Sequence, residues 1–302
     1  MCGLFGAIGK FEEDKVKILG ILNESRGGHS TGLYDGEYLY KDASPASKAL
    51  IDKVMLKAFN NNAKFIMGHT RYATHGAKTA KNAHPFSVGN IVGAHNGIIY
   101  NFDVKQKLQK TKFEVDSQIA FNTIENYGFK GLDFLSGYWG LTWTDATKKD
   151  KFYITRHSQE LSVLRTKDCI YYSSDEEHLQ MIQKKGDKLF SILPDTVYEI
   201  DVNSLTIDKI GKYSPVVYAV STNDRLMTTG QQTFSSQYEG YNTGGMMNDM
   251  WESYICENCE EEIFTGERMY RYLGLEICQS CKEELILSGT NRTQFEEVIT
   301  HV

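Results

Sequence analysis

The sequence contains no apolar run approaching the roughly 18 residues that a membrane-spanning helix needs. It also lacks an N-terminal basic region followed by a long apolar stretch, so no secretory signal peptide is predicted. Positive charge is not in excess, and the net charge of −6 gives no electrostatic attraction to nucleic acid or to an anionic membrane. We therefore expect a cytosolic protein whose partners are neither nucleic acid nor membranes.

No internal repeat is found along the chain. Its 41% hydrophobic and 24% charged residues are ordinary values for a soluble globular protein. A chain of 302 residues can bury a sizeable core, as one large domain or two smaller ones.

Helix-like and strand-like segments alternate over residues 2–215, which we predict to be one domain. Residues 14–24 place apolar side chains on one helical face, and a helix over 46–59 would bury Leu50, Val54 and Ala58. A third helix is predicted from Asp116, a residue type suited to helix capping, to Tyr127. Strands are predicted at 2–9, 64–71, 90–96, 138–145, 151–157 and 169–175. This alternation favours an α+β fold with antiparallel strands.

The composition changes after this domain. Between residues 221 and 250, 18 of 30 residues are Ser, Thr, Asn, Gln or Gly, too polar a stretch to offset its ordering entropy by burial. We predict a flexible linker over 216–253. The alternative is an ordered loop that folds over the first domain and is anchored by its few aromatic residues.

Four of the six cysteines form two C-x-x-C pairs separated by 18 residues. This spacing predicts a closed tetrahedral Zn²⁺ site, structural rather than catalytic, in a zinc-ribbon-like module over 254–287 with a hairpin between the pairs. Residues 256–287 hold eight acidic and three basic side chains, a balance that favours docking to a protein partner. The four predicted zinc ligands are Cys256, Cys259, Cys278 and Cys281. Cys169, in an aromatic strand, is predicted to be a buried packing residue.

A cysteine follows the initiator methionine, and removal of Met1 would leave a thiol and a free α-amine on Cys2. An α-amine with a pKa near 7.7–8.0 can take a proton from the thiol at neutral pH. Nucleophile and base would then belong to one residue, which is the arrangement of an N-terminal nucleophile.

Five motifs occur in order along the first domain. They are Cys2-Gly3-Leu4-Phe5-Gly6, Arg26-Gly27-x-x-Ser30-x-Gly32, Gly68-His69-Thr70-Arg71-Tyr72-Ala73-Thr74-His75-Gly76, Asn82-Ala83-His84-Pro85 and His95-Asn96-Gly97. The series resembles the glutaminase domain of class II glutamine amidotransferases over roughly residues 2–200. The resemblance implies a four-layer αββα N-terminal-nucleophile (Ntn) hydrolase sandwich with the nucleophile at the first strand. It also implies hydrolysis of the glutamine side-chain amide to glutamate and ammonia.

The resemblance also implies roles for individual residues. Cys2 would attack the amide, Asn96 and Gly97 would stabilise the oxyanion, and Arg26 would support the nucleophile. Arg71 would bind the α-carboxylate of glutamine and Asp116 its α-ammonium, with Thr74, His75 and Gly76 lining the pocket. His84 and His95 are either functional or structural histidines.

Three residues in this set have simpler explanations. Asn96 could be a turn residue before Gly97, because Asn-Gly is a strong hairpin signal. Arg71 could form a surface salt bridge. Asp116 could cap a helix, which is compatible with binding an ammonium group.

No motif of a second, ammonia-using catalytic domain follows residue 215, and the remaining residues are few for one. We expect the acceptor to belong to a separate ligase or synthase. Two other functions stay open at this point. One is an Ntn amidohydrolase that works alone on another γ-glutamyl or acyl amide, and the other is a non-catalytic binding or regulatory protein.

Overall fold

The computed structural model describes residues 2–60, 62–73 and 76–216, together with 253–255, 262–264, 269–272, 275–278, 282 and 296–298. The chain divides into two compact units, Met1–Val216 and Val217–Val302. No helix among the described residues has both the length and the apolar character needed to cross a membrane.

The first unit contains two antiparallel sheets. In chain order the strands are β1 (Gly3–Gly9), β2 (Ser30–Tyr34), β3 (Leu39–Asp42), β4 (Phe65–Arg71), β5 (Phe86–Val88), β6 (Ile91–Ile99), β7 (Gly137–Asp145), β8 (Lys151–His157), β9 (Ser162–Arg165), β10 (Cys169–Ser173), β11 (Lys188–Ser191), β12 (Thr196–Asp201) and β13 (Ile207–Lys212). One sheet has seven strands in the order β11-β9-β10-β1-β4-β2-β3, and the other has six in the order β13-β12-β8-β7-β6-β5.

Helices lie against the outer faces of both sheets. They are α1 (Glu13–Asn23), α2 (Ala46–Ala49), α3 (Lys57–Asn60), α4 (Phe102–Leu108), α5 (Asp116–Tyr127) and α6 (Glu176–Ile182), with 3-10 turns at Glu24–Arg26, Ala80–Asn82 and Gly128–Phe134. The helices predicted over 14–24 and 116–127 are confirmed to within one residue at each end.

Side chains of β1 alternate between two cores, as a period of two requires. Phe5 and Ala7 pack in the core that α1, α2 and α6 cover, whereas Leu4 and Ile8 pack between the two sheets. On the far side, Phe121 of α5 belongs to a third core over the six-stranded sheet. The order of layers is therefore helix, sheet, sheet and helix, which is the αββα arrangement that the resemblance implies.

The single helix predicted over 46–59 is wrong. Two short helices, α2 and α3, flank a series of turns, and Val54 is 57% exposed instead of facing the core with Leu50 and Ala58. The Asp52 carboxylate accepts the N–H of Val54 at 2.8 Å. Such a local side-chain bond competes with helical hydrogen bonding, which explains the interruption.

The second unit is described only in part. Its strands are β14 (Ser253–Ile255), β15 (Glu262–Phe264), β16 (Met269–Tyr272), β17 (Leu275–Cys278) and β18 (Glu296–Val298). The predicted hairpin between the cysteine pairs is present, with Tyr272 opposite Leu275 and Met269 opposite Cys278. Cys256, Cys259 and Cys281 lie outside the described residues, as does nearly all of the predicted 216–253 linker, and for Cys278 only the backbone is described. The zinc site and the linker therefore stay predictions.

Candidate active site

Cys2 lies immediately before β1, a central strand of the seven-stranded sheet. Gly3 is opposite Thr70 of β4, and a Cβ on Gly3 would lie 2.6 Å from Asn23 Oδ1 and 2.7 Å from Thr70 Oγ1. A larger residue at this position would have to displace the buried side chains of Asn23 and Thr70, so glycine lets β1 approach them closely. The pairing places Cys2 beside Arg71, the last residue of β4, and Tyr72, which follows it.

The main chain of Tyr72 holds the sulfur of Cys2. Its N–H donates to Sγ at 3.2 Å, and the thiol donates to its carbonyl oxygen at 3.4 Å. Arg26 Nε donates to the Cys2 carbonyl at 3.1 Å, and Arg26 Nη1 lies 3.6 Å from the Asp175 carboxylate. Arg26 therefore contacts the nucleophile through its backbone and not through its sulfur.

Burial raises the pKa of the Cys2 thiol above its ordinary value. The hydrogen bond from Tyr72 and the positive charge of Arg71 oppose this effect, and the negative charge of Asp116 adds to it. Cys2 therefore lies within electrostatic range of both Arg71 and Asp116. Its raised pKa also means that the thiol is protonated at neutral pH unless a base removes the proton.

Arg71 ends β4 and is only 2% exposed, so the alternative of a surface salt bridge is wrong. Its Nη1 donates to the Ala77 carbonyl oxygen at 2.9 Å. Burial lowers the pKa of the guanidinium, while Cys2 and Asp116 act in the opposite direction. Arg71, Cys2 and Asp116 thus form one electrostatically coupled group.

Asp116 is the first residue of α5, and its carboxylate is buried. Oδ1 accepts the N–H of Ser117 at 2.9 Å, which satisfies one free N–H of the helix end. Oδ2 accepts the N–H of Ile99, the last residue of β6, at 2.9 Å. The N-cap position is Val115, so Asp116 is the first helical residue and not the cap. Its carboxylate satisfies an N–H of the first helical turn and also lies within electrostatic range of Cys2.

Asn96 and Gly97 lie inside β6, opposite Gly140 and Trp139 of β7, so the hairpin-turn alternative is wrong. Gly97 has a φ of +148°, and a Cβ there would lie 1.9 Å from the Tyr138 carbonyl oxygen. Asn96 is 1% exposed, and its Nδ2 finds no hydrogen-bond partner among the described residues. A buried amide donor without a partner costs about 1–3 kcal/mol and is rare in native structures.

The rest of the predicted pocket is described only at Gly76. This residue has a φ of +73° and is exposed, and a Cβ there would lie 3.0 Å from Asn82 Nδ2 and from the Glu114 carbonyl oxygen. The loop that carries Gly76 therefore runs against the segment that leads into α5. Thr74 and His75 lie outside the described residues.

Three buried histidines, from β4, from β6 and from the segment before β5, form a cluster. The His69 and His84 ring centroids are 4.0 Å apart, and those of His84 and His95 are 6.4 Å apart. Burial lowers the pKa of all three, that of His69 to about 3, so they are neutral at pH 7. His84 Nε2 and His95 Nδ1 each lie 2.8 Å from Ser117 Oγ.

Sequence reasoning missed Ser117 and Tyr138. Burial raises the pKa of Tyr138, and the charges of Asp116 and Cys2 raise it further, so this phenol lies near the candidate site. Ser117 follows Asp116 directly, and this adjacency is the only sequence signal that could have indicated it. Nothing local distinguishes Tyr138 from the other aromatic residues of its strand.

No family model matches the chain. Its curated relatives include glutamine–fructose-6-phosphate aminotransferases (isomerizing) of Pyrococcus horikoshii, Helicobacter pylori and Thermococcus kodakarensis. The first is 31% identical over 196 residues, the second 26% over 225 and the third 33% over 181. The matches cover 58%, 68% and 53% of this chain but only 32%, 37% and 30% of the relatives. The chain therefore spans about a third of the length of these curated relatives.

Two solved structures are similar to this chain in fold. Glutamine phosphoribosylpyrophosphate amidotransferase from B. subtilis, in complex with ADP and GMP, superposes with a TM-score of 0.56 and 21% identity. The match covers 70% of this chain and 49% of that one. An allosteric regulatory enzyme of purine biosynthesis gives a TM-score of 0.56 with 20% identity and the same coverage. The chain shares its fold with an amidotransferase. By name, the relatives are glutamine-dependent transferases.

The buried histidines generate a prediction about stability and pH. An unfolded histidine has a pKa near 6.5, whereas His69 has a pKa of about 3 in the folded chain, and those of His84 and His95 are also lowered. At pH values between the lowered pKa values of the folded chain and about 6.5, the histidines of the unfolded chain bind protons that those of the folded chain do not. We therefore expect the free energy of unfolding to fall as pH drops below about 6.5, by up to ~1.4 kcal/mol per pH unit for each histidine.

Urea denaturation at about pH 7 and about pH 5 tests this expectation. Carboxylates change the free energy of unfolding in a lower pH range, because they take up protons at lower pH than histidines do; the pKa of Asp201, for example, is lowered to about 2. A loss that begins only below about pH 4 would therefore point to carboxylates and contradict the prediction.

Proposed function

We propose that this chain hydrolyses the side-chain amide of glutamine, with Cys2 as nucleophile, and releases glutamate and ammonia. One observation carries the proposal. The Cys2 sulfur accepts the N–H of Tyr72, the residue after buried Arg71, and it lies within electrostatic range of Arg71 and of buried Asp116, in a fold shared with an amidotransferase. A free amino acid presents a carboxylate and an ammonium group to such a pair.

In the proposed complex, Arg71 binds the α-carboxylate through its planar guanidinium, which can donate two parallel hydrogen bonds. Asp116 accepts hydrogen bonds from the α-ammonium. Its two oxygens already accept backbone N–H groups, so the carboxylate is oriented before the substrate arrives. Thr74, His75 and Gly76 line the rest of the pocket. With both head groups bound, the side-chain amide extends toward the sulfur.

The chemistry then follows in two steps. The Cys2 thiolate attacks the δ-carbon and forms a tetrahedral intermediate. The nitrogen of this intermediate takes a proton, the C–N bond breaks, and ammonia departs, so that a γ-glutamyl thioester remains. Water then attacks the thioester carbon, the C–S bond breaks, and glutamate leaves with the thiol restored. Because the pKa of the thiol is raised, a base is needed, and the α-amine of Cys2 serves once Met1 is removed.

The tetrahedral intermediate places a negative charge on the former amide oxygen. Asn96 Nδ2 is a buried donor with no partner among the described residues, and the intermediate would supply one. Gly97 adds its backbone N–H, and the absence of a Cβ lets the main chain approach closely. Hydrogen-bond donors that are already in position stabilise the oxyanion more than donors that must reorganise during the reaction.

We infer that the ammonia is used by a separate ligase or synthase. Residues 256–287 hold eight acidic and three basic side chains, and this acidic, cysteine-bearing segment suits docking to a protein. A reducing, cytosolic compartment fits this chemistry, since Cys2 and Cys169 are free thiols. Amide-labelled glutamine assayed with candidate ligases tests the inference, and label that appears only as free ammonia in every mixture contradicts it.

We also propose that Cys256, Cys259, Cys278 and Cys281 bind one structural zinc ion. Their spacing supports the proposal, and four thiolates leave no open position for water. A segment this short cannot build a sufficient core, so the metal would supply much of its folding energy.

Replacing the nucleophile tests the main proposal. We expect Cys2→Ala to lower glutamate release from glutamine at least ~10³-fold, because no sulfur remains to form the thioester. Cys169→Ala is the matched control, since Cys169 is a buried packing residue of β10, as predicted, and its loss should leave the rate within about twofold. Glutamate and ammonia are both measured. Equal rates in wild type and Cys2→Ala would contradict the mechanism.

The mass of the purified wild-type protein tests whether Met1 is removed. Active chain should be lighter than the encoded chain by one methionine residue. Active protein that retains Met1 would rule out the α-amine as base.

Replacement of Asn96 should change the kinetic constants in a different way. We expect Asn96→Ala to lower kcat by ~10²–10³ with little change in KM, because the oxyanion exists only after attack. Asn122→Ala is the control, since the Asn122 amide donates to Gln109 Oε1 at 2.7 Å on the outer helix layer. A KM that rises as much as kcat falls would instead assign Asn96 to ground-state binding.

Zinc content tests the metal proposal. Purified protein should carry about one zinc per chain by plasma mass spectrometry, and Cys278→Ser should lose most of it. Cys169→Ser, which removes a cysteine outside both pairs, should keep it. Metal-free wild type prepared under reducing conditions with added zinc would show that the cysteines have another purpose.

A further inference from the structure

His29 lies immediately before β2 and packs against the end of β4 and the residues that follow it. Its backbone N–H donates to the Arg71 carbonyl oxygen at 3.0 Å. Its ring nitrogen Nδ1 accepts the N–H of Ala73 at 3.0 Å. The ring also stacks on that of Tyr72, with centroids 4.8 Å apart and planes 29° apart. His29 therefore contacts three consecutive residues, 71 to 73.

The same segment holds the sulfur of the candidate nucleophile. Tyr72 and Ala73 follow β4 and are not part of a strand. The Tyr72 N–H donates to Cys2 Sγ at 3.2 Å, and the Tyr72 carbonyl oxygen accepts from the thiol at 3.4 Å. This hydrogen bonding lowers the pKa of the Cys2 thiol against the effect of burial. The position of the Tyr72 main chain thus affects how readily Cys2 loses its proton.

The protonation state of His29 follows from these contacts. Because the Ala73 N–H is a donor, Nδ1 is an unprotonated acceptor, and the ring proton lies on Nε2. The titratable groups near the ring include the Tyr72 phenol and three cations, which are Lys78, Arg71 and the terminal amine. Burial lowers the pKa of His29, and the three cations lower it further, so the ring is neutral at pH 7. A proton on Nδ1 would set two donors against each other and break the bond to Ala73.

We propose that neutral His29 is a positioning residue, whose Nδ1 acceptor and stacked ring hold Tyr72 and Ala73 so that the Tyr72 main chain stays on the Cys2 sulfur. This inference rests on the proposed function, in which Cys2 is the nucleophile. His29 acts through the segment it holds and not as a base on the thiol, because its Nδ1 already accepts the Ala73 N–H. Its loss should slow the attack of the sulfur and leave glutamine binding intact.

Two substitutions of His29 separate the acceptor from the ring. His29→Asn places an amide oxygen where Nδ1 lies and so keeps an acceptor, whereas His29→Phe keeps a ring without an acceptor. In His29→Phe we expect kcat for glutamine hydrolysis to fall about tenfold with KM within about twofold, as for the loss of one hydrogen bond. His29→Asn should keep kcat within about threefold. If His29→Phe does not fold, His29→Gln replaces it, since its amide oxygen lies near the position of Nε2 and not of Nδ1.

The pH profile of kcat tests the role of the neutral ring. The imidazole of wild type titrates, whereas the amide of His29→Asn does not, and the ratio of the two kcat values cancels the titration of all other groups. We expect the ratio of wild type to His29→Asn to fall by about threefold or more as pH drops from about 7 to about 5. His157→Asn is the matched control. It removes a partly buried histidine of β8 whose Nδ1 lies 2.6 Å from the Asp195 carboxylate, and its ratio to wild type should not change with pH.

Alkylation of Cys2 by iodoacetamide gives a second measurement that needs no glutamine. The mass of the N-terminal peptide reports the modification of this cysteine alone. At about pH 7.5 the thiol of His29→Phe should react about three- to tenfold more slowly than that of wild type, because its thiolate loses the Tyr72 N–H. His29→Asn should react at the wild-type rate.

Three results would overturn the inference. The first is a folded His29→Phe variant with unchanged kcat and unchanged alkylation. The second is a KM that rises as much as kcat falls, because this would indicate damage to glutamine binding. The third is a ratio of wild type to His29→Asn that is constant with pH.

The proposed function fails separately. Wild type that releases no glutamate from glutamine would overturn that proposal. Slower alkylation of His29→Phe, with His29→Asn at the wild-type rate, would in that case still support the role of His29 in holding Tyr72 on the sulfur.

Discussion

One buried hydrogen bond joins the two sheets beside the candidate site. His69 Nε2, on the strand that carries Arg71, lies 2.9 Å from the carbonyl oxygen of His95, which precedes Asn96 on the other sheet. Because the acceptor is a carbonyl, the Nε2 nitrogen must hold the proton, and the low pKa of His69 keeps the ring neutral. The apolar core between the sheets, which includes Leu4 and Ala94, sets the distance between the two strands. The hydrogen bond adds a directional link between the strand at the nucleophile and the strand with the candidate oxyanion donors.

Antiparallel pairing supplies the rest of the alignment. Gly3 lies opposite Thr70, so Cys2 reaches the main chain of Tyr72 with no loop in between. On the second sheet, Asn96 and Gly97 lie in register with β7, and the Ile99 N–H at the end of β6 reaches Asp116. The candidate site is thus assembled from the start of β1, the end of β4, the interior of β6 and the start of α5. Rigid elements of this kind hold side chains more accurately than loops do.

Much of this arrangement could be predicted from the sequence. The resemblance carried by the ordered motifs implies the αββα layers, and the capping residue type of Asp116 predicts the helix over 116–127. The prediction failed where a local polar side chain decided the conformation, as Asp52 did within the 46–59 segment. The hairpin alternative for Asn96 and Gly97 was wrong because β-sheet pairing overrides a dipeptide preference. Ser117 was missed because its partners lie 22 and 33 residues away in the chain.

The charge balance of the site explains why so many histidines are buried around it. Within the described residues, the Cys2 thiol responds to one side-chain cation, Arg71, and one anion, Asp116. A protonated imidazole beside Asp116 would compete with a substrate ammonium for the carboxylate. Burial of His84 and His95 removes that competitor and still leaves each ring one N–H to donate. Neutral histidines can therefore lie near Asp116 and bond to Ser117 Oγ while the negative charge of the carboxylate stays available to a ligand, which a lysine or arginine in the same position could not do.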